Sequence, residues 1–378
     1  MNWVAIRMLL GDPAKYLGLV FGIAFATLLI AQQGSIFAGL MQRTASTIYD
    51  IRDVNLWVMD SRTEQEDASD PMPSVALQRV RGIKGVEWAV PLLRAPITVK
   101  TGEGILKPGR IIGVDDQSLI GLPMQFAIGS ADNLRRDNAV VIDEGGYRYI
   151  WPGEPFKLGK TFEMNDKRAI LVGVVRARKA FTSEMIVYAK YNDALDYSAG
   201  GRNRLTFVIG HAAGAERPEA VATRIEAATG YKARSSKQFR GETINFMLAT
   251  SGITFNFVIT IFLGFVVGTA IVGLTFSLFI RDNIKQFGAL KAIGVGNRAI
   301  VTMVLTQGAF VGLIGYGIGI GMASLFFHFT KNVDALRFYM PWEIGLATGG
   351  LMALILLLSG FGSLRRVLNT DPAIVFRG

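Results

Sequence analysis

The chain has 378 residues, of which 50% are hydrophobic and 19% are charged, and its mean hydropathy is +0.34. This composition is too apolar for an ordinary water-soluble protein and favours an integral membrane protein. The formal net charge of +10 does not indicate nucleic-acid binding, because the Lys and Arg residues are not clustered as phosphate contacts require. The absence of cysteine excludes disulfide bonds and thiol catalysis.

Four long stretches contain no charged residue, and they predict four membrane-spanning helices. They cover residues 16–42, 243–280, 299–330 and 344–364. Each is long enough for the roughly 20 apolar residues that a helix needs to cross a bilayer. The first stretch is interpreted as a retained anchor rather than a cleaved signal peptide. Its apolar part, 17–36, is too long for one and continues through Gln32 and Gln33 without an Ala-x-Ala site.

The spans divide the chain into predicted segments. The first span (17–40) follows a cytoplasmic N-terminal segment (1–16), and an extracytoplasmic domain (41–242) separates it from the second span with a periplasmic stalk (243–280). A cytoplasmic segment (281–298), the third span (299–327), a short periplasmic loop (328–342), the fourth span (343–364) and a cytoplasmic tail (365–378) complete the chain.

Basic residues beside the spans predict the orientation, because Lys and Arg remain on the cytoplasmic side. With four crossings, both termini share a side with segment 281–298. That side carries Arg7, Lys15, Arg281, Lys285, Lys291, Arg298, Arg365, Arg366 and Arg377, whereas the short loop 328–342 carries only Lys331 and Arg337. We therefore expect a protein of the bacterial inner (plasma) membrane with cytoplasmic termini and a large periplasmic domain.

The exported segment is predicted to be a mixed α/β domain. Runs rich in β-branched and alternating apolar residues predict strands at 54–59, 86–90, 97–100, 110–114, 139–142, 169–175, 185–188 and 205–209. Helical spacing of apolar residues after Pro73 and Pro218 predicts helices at 74–80 and 219–228. The acidic stretch 61–73 is interpreted as a mobile loop.

No catalytic or metal-binding motif is convincing. The run from Gly153 to Thr161 resembles a phosphate-binding loop but has five residues between its glycines instead of four, so we predict a turn that leads into a strand. His211 and His328 have no His or Cys partner at metal-ligand spacing. Asp115-Asp116 and Asp143-Glu144 are poorly placed as acid/base pairs, because adjacent residues of an extended segment point to opposite faces. They are therefore interpreted as solvated turns.

The segment between the second and third spans predicts a short amphipathic helix. Ile284, Phe287, Leu290 and Lys291 lie at helical spacing, and Gly294 is suited to end the helix. Such a helix lies on the membrane surface or in the groove of a partner protein, and composition does not decide between these alternatives.

The run Phe287-Gly-Ala-Leu-Lys-Ala-Ile-Gly294 resembles the E-I-G-x-L-K-A-L-G signature of permeases of the MacB and FtsX type, a superfamily of ABC transporters. The arrangement of one span, a large exported domain and three further spans agrees with this resemblance. So do Ile111-Ile-Gly-Val-Asp115, Val172-Gly-Val-Val175 and the tail Asp371-Pro-Ala-Ile-Val-Phe-Arg377. Gly22–Ala26, Gln32-Gln33-Gly34 and Phe265–Val272 are most similar to DevC-type permeases. Gln286 departs from the family pattern, which has Glu at this position.

The resemblance implies an α-helical membrane protein with four transmembrane helices and an extracytoplasmic mixed α/β domain. That domain would consist of a porter-like part (46–100 with 202–240) and a β-rich insert (101–201). The chain itself would be a non-catalytic permease subunit without a cofactor, and ATP and Mg²⁺ would bind to a separate soluble ABC ATPase. Residues 282–294 would form the coupling helix that contacts the ATPase, through Asp282, Lys285, Gln286, Phe287, Leu290 and Lys291. If the glutamate that the family has at position 286 makes a charged contact with the ATPase, that contact is weaker in this chain or is moved to another residue, for example to Asp282.

A homodimer of the chain would carry two ATPases. Small residues that allow close helix packing support it, namely Gly264, Gly268, Gly308, Gly312, Gly315 and Gly319, with Gly345 and Gly349 in the last span. The uncharged run 243–280 would reach about 57 Å as one helix, longer than the hydrocarbon core of roughly 30 Å, which suggests a rigid stalk that transmits motion.

Two classes of function remain open at this stage. The first is an exporter that moves lipids or other amphiphiles with a periplasmic adaptor (membrane fusion) protein and an outer-membrane duct, or, as a variant, a lipoprotein-releasing permease. The second is an FtsX-like regulator of cell-wall hydrolases that transports nothing. The size of the exported segment favours the first class. No nucleic-acid partner is expected.

Overall fold

The computed structural model describes residues 2–51, 53–102, 104–178, 180–181, 183–198, 204–214, 216–330 and 338–368, with side chains described except at 2 and 362–368. The chain divides into a helical unit, Met1–Gly39 with Gly252–Gly378, and an α/β unit, Leu40–Ser251. The predicted tail motif at 371–377, the loop residues Lys331 and Arg337 and the side chains of Arg365 and Arg366 lie outside the described residues.

The helices and strands are as follows, in chain order. The helices are α1 (Asn2–Leu10), α2 (Pro13–Thr44), α3 (Ser46–Asp50), α4 (Val75–Arg81), α5 (Glu144–Ile150), α6 (Tyr191–Tyr197), α7 (Pro218–Thr229), α8 (Ser236–Thr250), α9 (Gly252–Asp282), α10 (Ile284–Ala292), α11 (Asn297–Thr330) and α12 (Trp342–Leu368). The strands are β1 (Leu56–Met59), β2 (Met72–Pro73), β3 (Val86–Lys100), β4 (Leu106–Val114), β5 (Phe126–Gly129), β6 (Ala139–Asp143), β7 (Thr161–Met164), β8 (Lys167–Val175), β9 (Ile186–Lys190), β10 (Arg204–Leu205), β11 (Phe207–Ala212) and β12 (Lys232–Ser235).

Four helices of the helical unit are long and apolar enough to cross a membrane. They are α2, α9, α11 and the part Trp342–Phe361 of α12. A helix satisfies all of its backbone hydrogen bonds internally, which a segment in hydrocarbon requires. The predicted four spans are therefore confirmed as four candidate transmembrane helices.

Glycines bring these helices into close contact within the chain. A Cβ on Gly315 would lie 2.7 Å from the Cβ of Ile23, and one on Gly319 would lie 2.5 Å from the Cβ of Thr27. A Cβ on Gly268 would lie 2.6 Å from the Cβ of Ala26, so α9 and α11 both approach α2 too closely for a larger residue.

The remaining predicted packing glycines have different surroundings. Gly312 lies against Leu356 of α12, and Gly264 faces Leu29 and Ile30 of α2. Gly345 and Gly349 lie next to Tyr316, whereas Gly308 has open space around it. Except for Gly308, the predicted glycines thus pack helices of the same chain, and these contacts are not evidence for a homodimer.

The predicted continuous helix at 243–280 is interrupted. Helix α8 ends at Thr250, Ser251 has an extended backbone with φ −86° and ψ 124°, and α9 starts at Gly252. Gly/Ser pairs are common positions of helix breaks, since both residues have weak helix propensity. The prediction of one rigid rod of about 57 Å is therefore wrong.

The α/β unit is built on one large mixed sheet. Its strand order is β12-β1-β11-β3-β4-β9-β6-β8-β5, and β7 pairs with β3 and β8. The predicted mixed α/β architecture is confirmed. Most strands that the sequence predicted are present, whereas the short strands β2, β5 and β12 were not predicted.

The long strand β3 joins the two parts of the sheet. Residues up to Leu92 pair with β11, and Leu93 to Lys100 pair with β4. The boundary between the porter-like part and the insert therefore lies within β3, at Leu92/Leu93, and not at 100/101 as the resemblance implied. A strand long enough to belong to both parts leaves no linker between them.

Two prolines are tolerated in β3 because of where their missing N–H groups point. Thr206 N–H donates to the Leu92 carbonyl, so the backbone groups of Leu92 point towards β11. The backbone groups of successive strand residues point to alternate edges, so the nitrogen of Pro91 points to the other edge, where the pairing with β4 has already ended. Asn165 N–H donates to the Thr98 carbonyl on the edge that Pro96 also faces, and β7 pairs only with Val99 and Lys100 there. Neither proline removes a hydrogen bond from the sheet.

Helix α8 is docked on the sheet by an aromatic cluster. Phe239 is fully buried, and its ring centroid lies 5.6 Å from that of Trp57 and 5.7 Å from that of Phe207. The indole N–H of Trp57 donates to the hydroxyl of Ser236 at 3.0 Å. Ser235 and Gln238 form a capping box at the start of the helix. The segment before the second span is therefore part of the α/β unit's core.

The acidic loop 61–73 is held by buried ion pairs, so its interpretation as a mobile loop is wrong. Glu66 is 1% exposed, and its Oε1 lies 3.2 Å from Nη1 of Arg94. Asp67 pairs with both Arg94 and Arg110. Thr47 N–H, in the segment that follows α2, donates to Glu66 Oε1 at 3.3 Å. The network ties this loop and α3 to β3 and β4.

Burial raises the pKa of Glu66 above its ordinary value of 4.5, and the charge of Arg94 only partly opposes this shift. Between 4.5 and the raised pKa, the folded protein keeps a proton that the unfolded chain releases. The contribution of Glu66 to stability therefore falls as pH rises through this window.

We expect opposite consequences from substitutions on the two sides of this ion pair. Arg94→Met leaves buried carboxylates without their cation and should lower the free energy of unfolding of the α/β unit by about 3–5 kcal/mol at pH 7. Glu66→Gln keeps an acceptor for Thr47 and removes the desolvated charge, so it should cost less than about 1 kcal/mol or stabilise. Thermal unfolding of the full chain in detergent measures both effects.

The control for these variants is Arg62→Met, whose side chain is 75% exposed and pairs with carboxylates of the same loop. It should leave the melting temperature unchanged within error, because solvent screens exposed ion pairs. The melting temperature of Glu66→Gln should rise relative to that of wild type as pH rises above 4.5, because only the wild type loses the contribution of Glu66. A difference that stays constant with pH would contradict the raised pKa.

The glycine contacts predict different effects of alanine substitution at two positions of α11. Gly319→Ala places a methyl group 2.5 Å from Thr27 and 2.7 Å from the Ala24 carbonyl oxygen, whereas Gly317→Ala meets nothing within 4 Å. We expect the first to lower the stability of the helical unit by about 1–3 kcal/mol and the second to be neutral or slightly stabilising. Equal melting temperatures in lipid nanodiscs would show that α11 does not pack on α2 as described.

Candidate functional site

The predicted amphipathic helix is present as α10, between the second and third candidate spans. It starts after Asn283 and ends before Gly294, which has φ +93°. Gly294 N–H donates to the Lys291 carbonyl and Val295 N–H to the Leu290 carbonyl, both at 3.0 Å. Gly294 accepts this left-handed conformation without strain, as predicted.

The apolar stripe of α10 faces the chain's own spans. Phe287 is fully buried in a cluster that includes Phe276 and Phe279 of α9 and Ile300 of α11. Ile284, Leu290 and Lys291 are half-buried. Phe287 has no exposed surface in this conformation and therefore anchors α10 within the chain, while its contact with an ATPase stays a prediction.

The exposed side of α10 contains a different set of residues. Lys285, Gln286 and Ala289 are exposed, and Ile293, immediately before the terminating glycine, is 78% exposed. A single exposed apolar side chain is common on protein surfaces and does not by itself indicate a binding site. Ile293 becomes a candidate contact residue only through its position at the end of the exposed side of α10. It lies just beyond the apolar stripe by which the sequence predicted the helix.

Asp282 is already paired within the chain. Lys15 forms ion pairs with Asp282 at the end of α9 and with Asp12 between α1 and α2. The network joins the start of α2 to the end of α9, and it neutralises the charge that was expected to replace the missing glutamate. Asp282 is therefore a poor replacement for that charge.

Helix α1 lies next to α10 and is anchored on α11. The Gln307 side-chain N–H donates to the Ala5 carbonyl at 2.8 Å, and Gln307 is fully buried. Leu9 is also fully buried, in the same cluster as Phe287. These contacts hold α1 to the helical unit although it precedes the first candidate span.

A groove of about 700 Å³ lies between α1 and the α9/α10 junction. Its walls are Trp3, Val4, Arg7, Met8, Gly11, Asp12 and Pro13 on one side and Asp282, Asn283 and Gln286 on the other. Asn283 is nearly buried and donates through its side-chain N–H to the Phe279 carbonyl at 2.8 Å. Two residues of the predicted site, Asp282 and Gln286, thus belong to a groove that the sequence did not predict.

The other sequence motifs are structural. Gly153 to Thr161 forms turns that lead into β7, as predicted. Asp115 accepts from Ser118 N–H and Asp116 from Asn192 N–H, both in turns. Asp143 is buried, caps α5 and accepts from Ile186 N–H at 2.7 Å, so its interpretation as a solvated turn is wrong.

The two histidines lie in unlike surroundings. His211 lies 3.2 Å from Glu87 and stacks on Trp88, and His328 is exposed on α11. Within the described ranges, no group of three or more His, Asp and Glu side chains is placed to hold a metal ion.

Comparison with known proteins finds three mycobacterial relatives. They are uncharacterized ABC transporter permeases, one of Mycobacterium bovis (strain ATCC BAA-935 / AF2122/97) and two of Mycobacterium tuberculosis strains. Each is 30% identical over 113 residues, which is 30% of this chain. The matched part spans about a third of the length of these relatives, 31% in each case.

Solved structures are similar to the middle of the chain. The extracellular domain of the noncanonic ABC-type transporter YknZ from Gram-positive bacteria matches with 16% identity and a TM-score of 0.36, over 48% of this chain and 98% of that domain. The periplasmic region of MacB from Actinobacillus actinomycetemcomitans matches with 15% identity and a TM-score of 0.40, over 51% of this chain and 94% of that region.

Two family models match the chain. The model of the MacB-like periplasmic core domain matches residues 16–228, and that of the FtsX-like permease C-terminal domain matches residues 257–372. Together they cover both parts of the chain that the fold distinguishes, the α/β unit with its preceding span and the three later candidate spans. The chain therefore belongs to the family of ABC transporter permeases of the MacB/FtsX type.

Proposed function

We propose that this permease couples ATP hydrolysis by a separate soluble ATPase to motion of its α/β unit outside the cytoplasm, for export of lipids or other amphiphiles. The helix α10 is the coupling helix and receives the motion of the ATPase. The observation that carries this proposal is the division of α10 into two faces. Phe287 is buried among the spans, while Lys285, Gln286, Ala289 and Ile293 remain exposed beside it.

A buried aromatic anchor makes this helix suitable for transmitting force. A core phenylalanine contributes about 3–5 kcal/mol to packing, so a push on the exposed face moves the spans rather than detaching the helix. The ion pairs of Lys15 add a second attachment, from the end of α9 to the start of α2.

The motion would leave the membrane through two covalent connections. The first runs from α2 into α3, which the Thr47–Glu66 hydrogen bond ties to the buried ion-pair network. The second runs from α9 through Ser251 into α8, which Phe239 fixes to the sheet. Ser251 is a bend in this connection, so the second path works as a jointed linkage and not as the single rod that the sequence suggested.

The chain would act in the inner membrane as a homodimer, with two ATPases that hold ATP and Mg²⁺. A periplasmic adaptor and an outer-membrane duct would accept the amphiphile. The size of the α/β unit supports export over a transport-free regulator of cell-wall hydrolases, because a regulator needs only a small exported segment.

The exposed face of α10 predicts the effect of mutations on ATPase binding. Ile293→Asp and Lys285→Glu should each reduce copurification of the ATPase at least tenfold, because an interface anchor contributes about 2 kcal/mol or more. Asn297→Asp, an exposed change just outside α10, is the matched control and should leave copurification unchanged. Undiminished copurification with both α10 variants would refute the coupling assignment.

The proposed orientation is tested with single cysteines, because the chain contains none. A Cβ at Gly102, between β3 and β4, or at Gly296, after α10, meets nothing within 4 Å. In intact spheroplasts, a membrane-impermeant maleimide should label Gly102→Cys, whereas Gly296→Cys should react only after lysis. The reverse pattern would invert the topology.

The choice between export and regulation is tested by reconstitution. Proteoliposomes with the permease, its ATPase and a fluorescent phospholipid should show ATP-dependent removal of the lipid when an acceptor protein is present. Hydrolase activation without any ATP-dependent lipid movement would favour the regulator and contradict the export proposal.

A further inference from the structure

The groove between α1 and α10 has the properties of a binding site rather than of a packing defect. Its volume of about 700 Å³ lies within the roughly 300–1,000 Å³ of ordinary ligand clefts. Its walls are fixed by specific contacts on both sides. Gln307 anchors the α1 wall through Ala5, and Lys15 pairs with Asp12 and Asp282, one from each wall.

One charged group of the groove has no partner of opposite charge. Arg7 is exposed, stacks on Trp3 at 5.0 Å and, among the described residues, has no carboxylate partner. The two carboxylates of the groove are both paired with Lys15. The groove therefore offers one uncommitted guanidinium, which recognises carboxylates in a planar two-point geometry.

The side-chain amide of Gln286, on the opposite wall, is also uncommitted. It is exposed, and none of the described residues hydrogen-bonds to it. Gln286 stands where the signature that this segment resembles has a glutamate. In this chain the wall of α10 thus provides only hydrogen bonds, and the single free charge comes from α1 with the opposite sign.

Residues of α1 at helical spacing line the groove, namely Val4, Arg7, Met8 and Gly11. Ala5 and Leu9, both fully buried, lie on a second face towards α11. The exposed Leu10 follows Arg7 by three residues and Trp3 by seven, so it lies at the edge of the groove face. Arg7 is therefore on the side of α1 opposite to the one that packs on α11.

We infer that this groove is the second half of the ATPase docking surface and receives an acidic side chain of the ATPase at Arg7. The inference rests on the proposed function, since it requires that α10 is the coupling helix. Its occupant is fixed by continuity and charge. Gln286 belongs both to the groove and to the exposed face of α10, and Arg7 requires a carboxylate. The first ten residues of the chain would then contribute to partner recognition and not only to membrane attachment.

The first test measures ATPase affinity with the full-length permease in nanodiscs, using the purified ATPase that copurifies with the wild type. Arg7→Glu should weaken binding at least tenfold, because it replaces an ion pair with a repulsion. Arg298→Glu makes the same change of charge at an exposed residue outside the groove and should stay within twofold. Equal effects of the two variants, or no effect of Arg7→Glu, would overturn the inference.

The second test uses crosslinking and does not depend on how well the Arg7 variant folds. Val4→Cys lies on the groove face and starts from a side chain that is 42% exposed, whereas Arg298→Cys replaces an exposed residue outside the groove. A short thiol-to-amine crosslinker should join the ATPase to Val4→Cys and not to Arg298→Cys. A crosslink between two permease chains, or a polarity-sensitive dye that reports lipid at both positions, would overturn the inference.

Failure of this inference is distinguishable from failure of the proposed function. If Ile293→Asp abolishes ATPase binding while Arg7→Glu and the Val4→Cys crosslink show no involvement of α1, the coupling helix stands and the groove assignment falls. If the α10 variants bind the ATPase normally as well, both fall.

Discussion

The burial of Phe287 is the contact on which the proposed mechanism depends. A helix of nine residues has little stability of its own, so its position must come from tertiary contacts. Phe287 provides them by entering the cluster formed by α9, α11 and α1. The same burial determines which residues remain available outside, since it directs Gln286 and Ile293 to the surface. Anchor and contact surface are therefore two consequences of one helical orientation.

Close packing of the spans determines what a displacement of α10 can do. The glycines at 268, 315 and 319 let α9 and α11 approach α2 until side chains touch backbone. Interiors packed in this way transmit strain instead of absorbing it. Along the chain, α2 continues into α3 and α8 precedes α9, and both α3 and α8 are fixed to the sheet, by the Glu66–Arg94 pair and by Phe239.

The sequence predicted what depends on local pattern and failed where distant residues decide. Charge-free runs predicted four spans, and alternating apolar residues predicted the main strands. The burial of Phe287 was not predicted, because a stripe at helical spacing shows which residues share a face but not what that face meets. Glu66 and Asp143 were taken for solvent-exposed acids, and their partners Arg94 and Ile186 lie 28 and 43 residues further along the chain. No short pattern contains such a pairing. The family resemblance, by contrast, needed only the order of segments and a few local runs, and it was confirmed.

The substitution of Gln for Glu at position 286 gains a physical meaning from these contacts. A glutamate there would add a third carboxylate to a groove in which Lys15 already neutralises two, and its charge would face Arg7 across the groove. That arrangement would satisfy Arg7 within the chain and leave nothing for a partner. With glutamine, the guanidinium stays free and the wall of α10 remains polar but neutral. If the groove binds the ATPase as we propose, an interface that reverses the sign of its central charge would reject ATPases suited to the usual pattern, since a like-charge contact costs more than a missing one. On that proposal, Gln286 and Arg7 would act together in the selection of the partner.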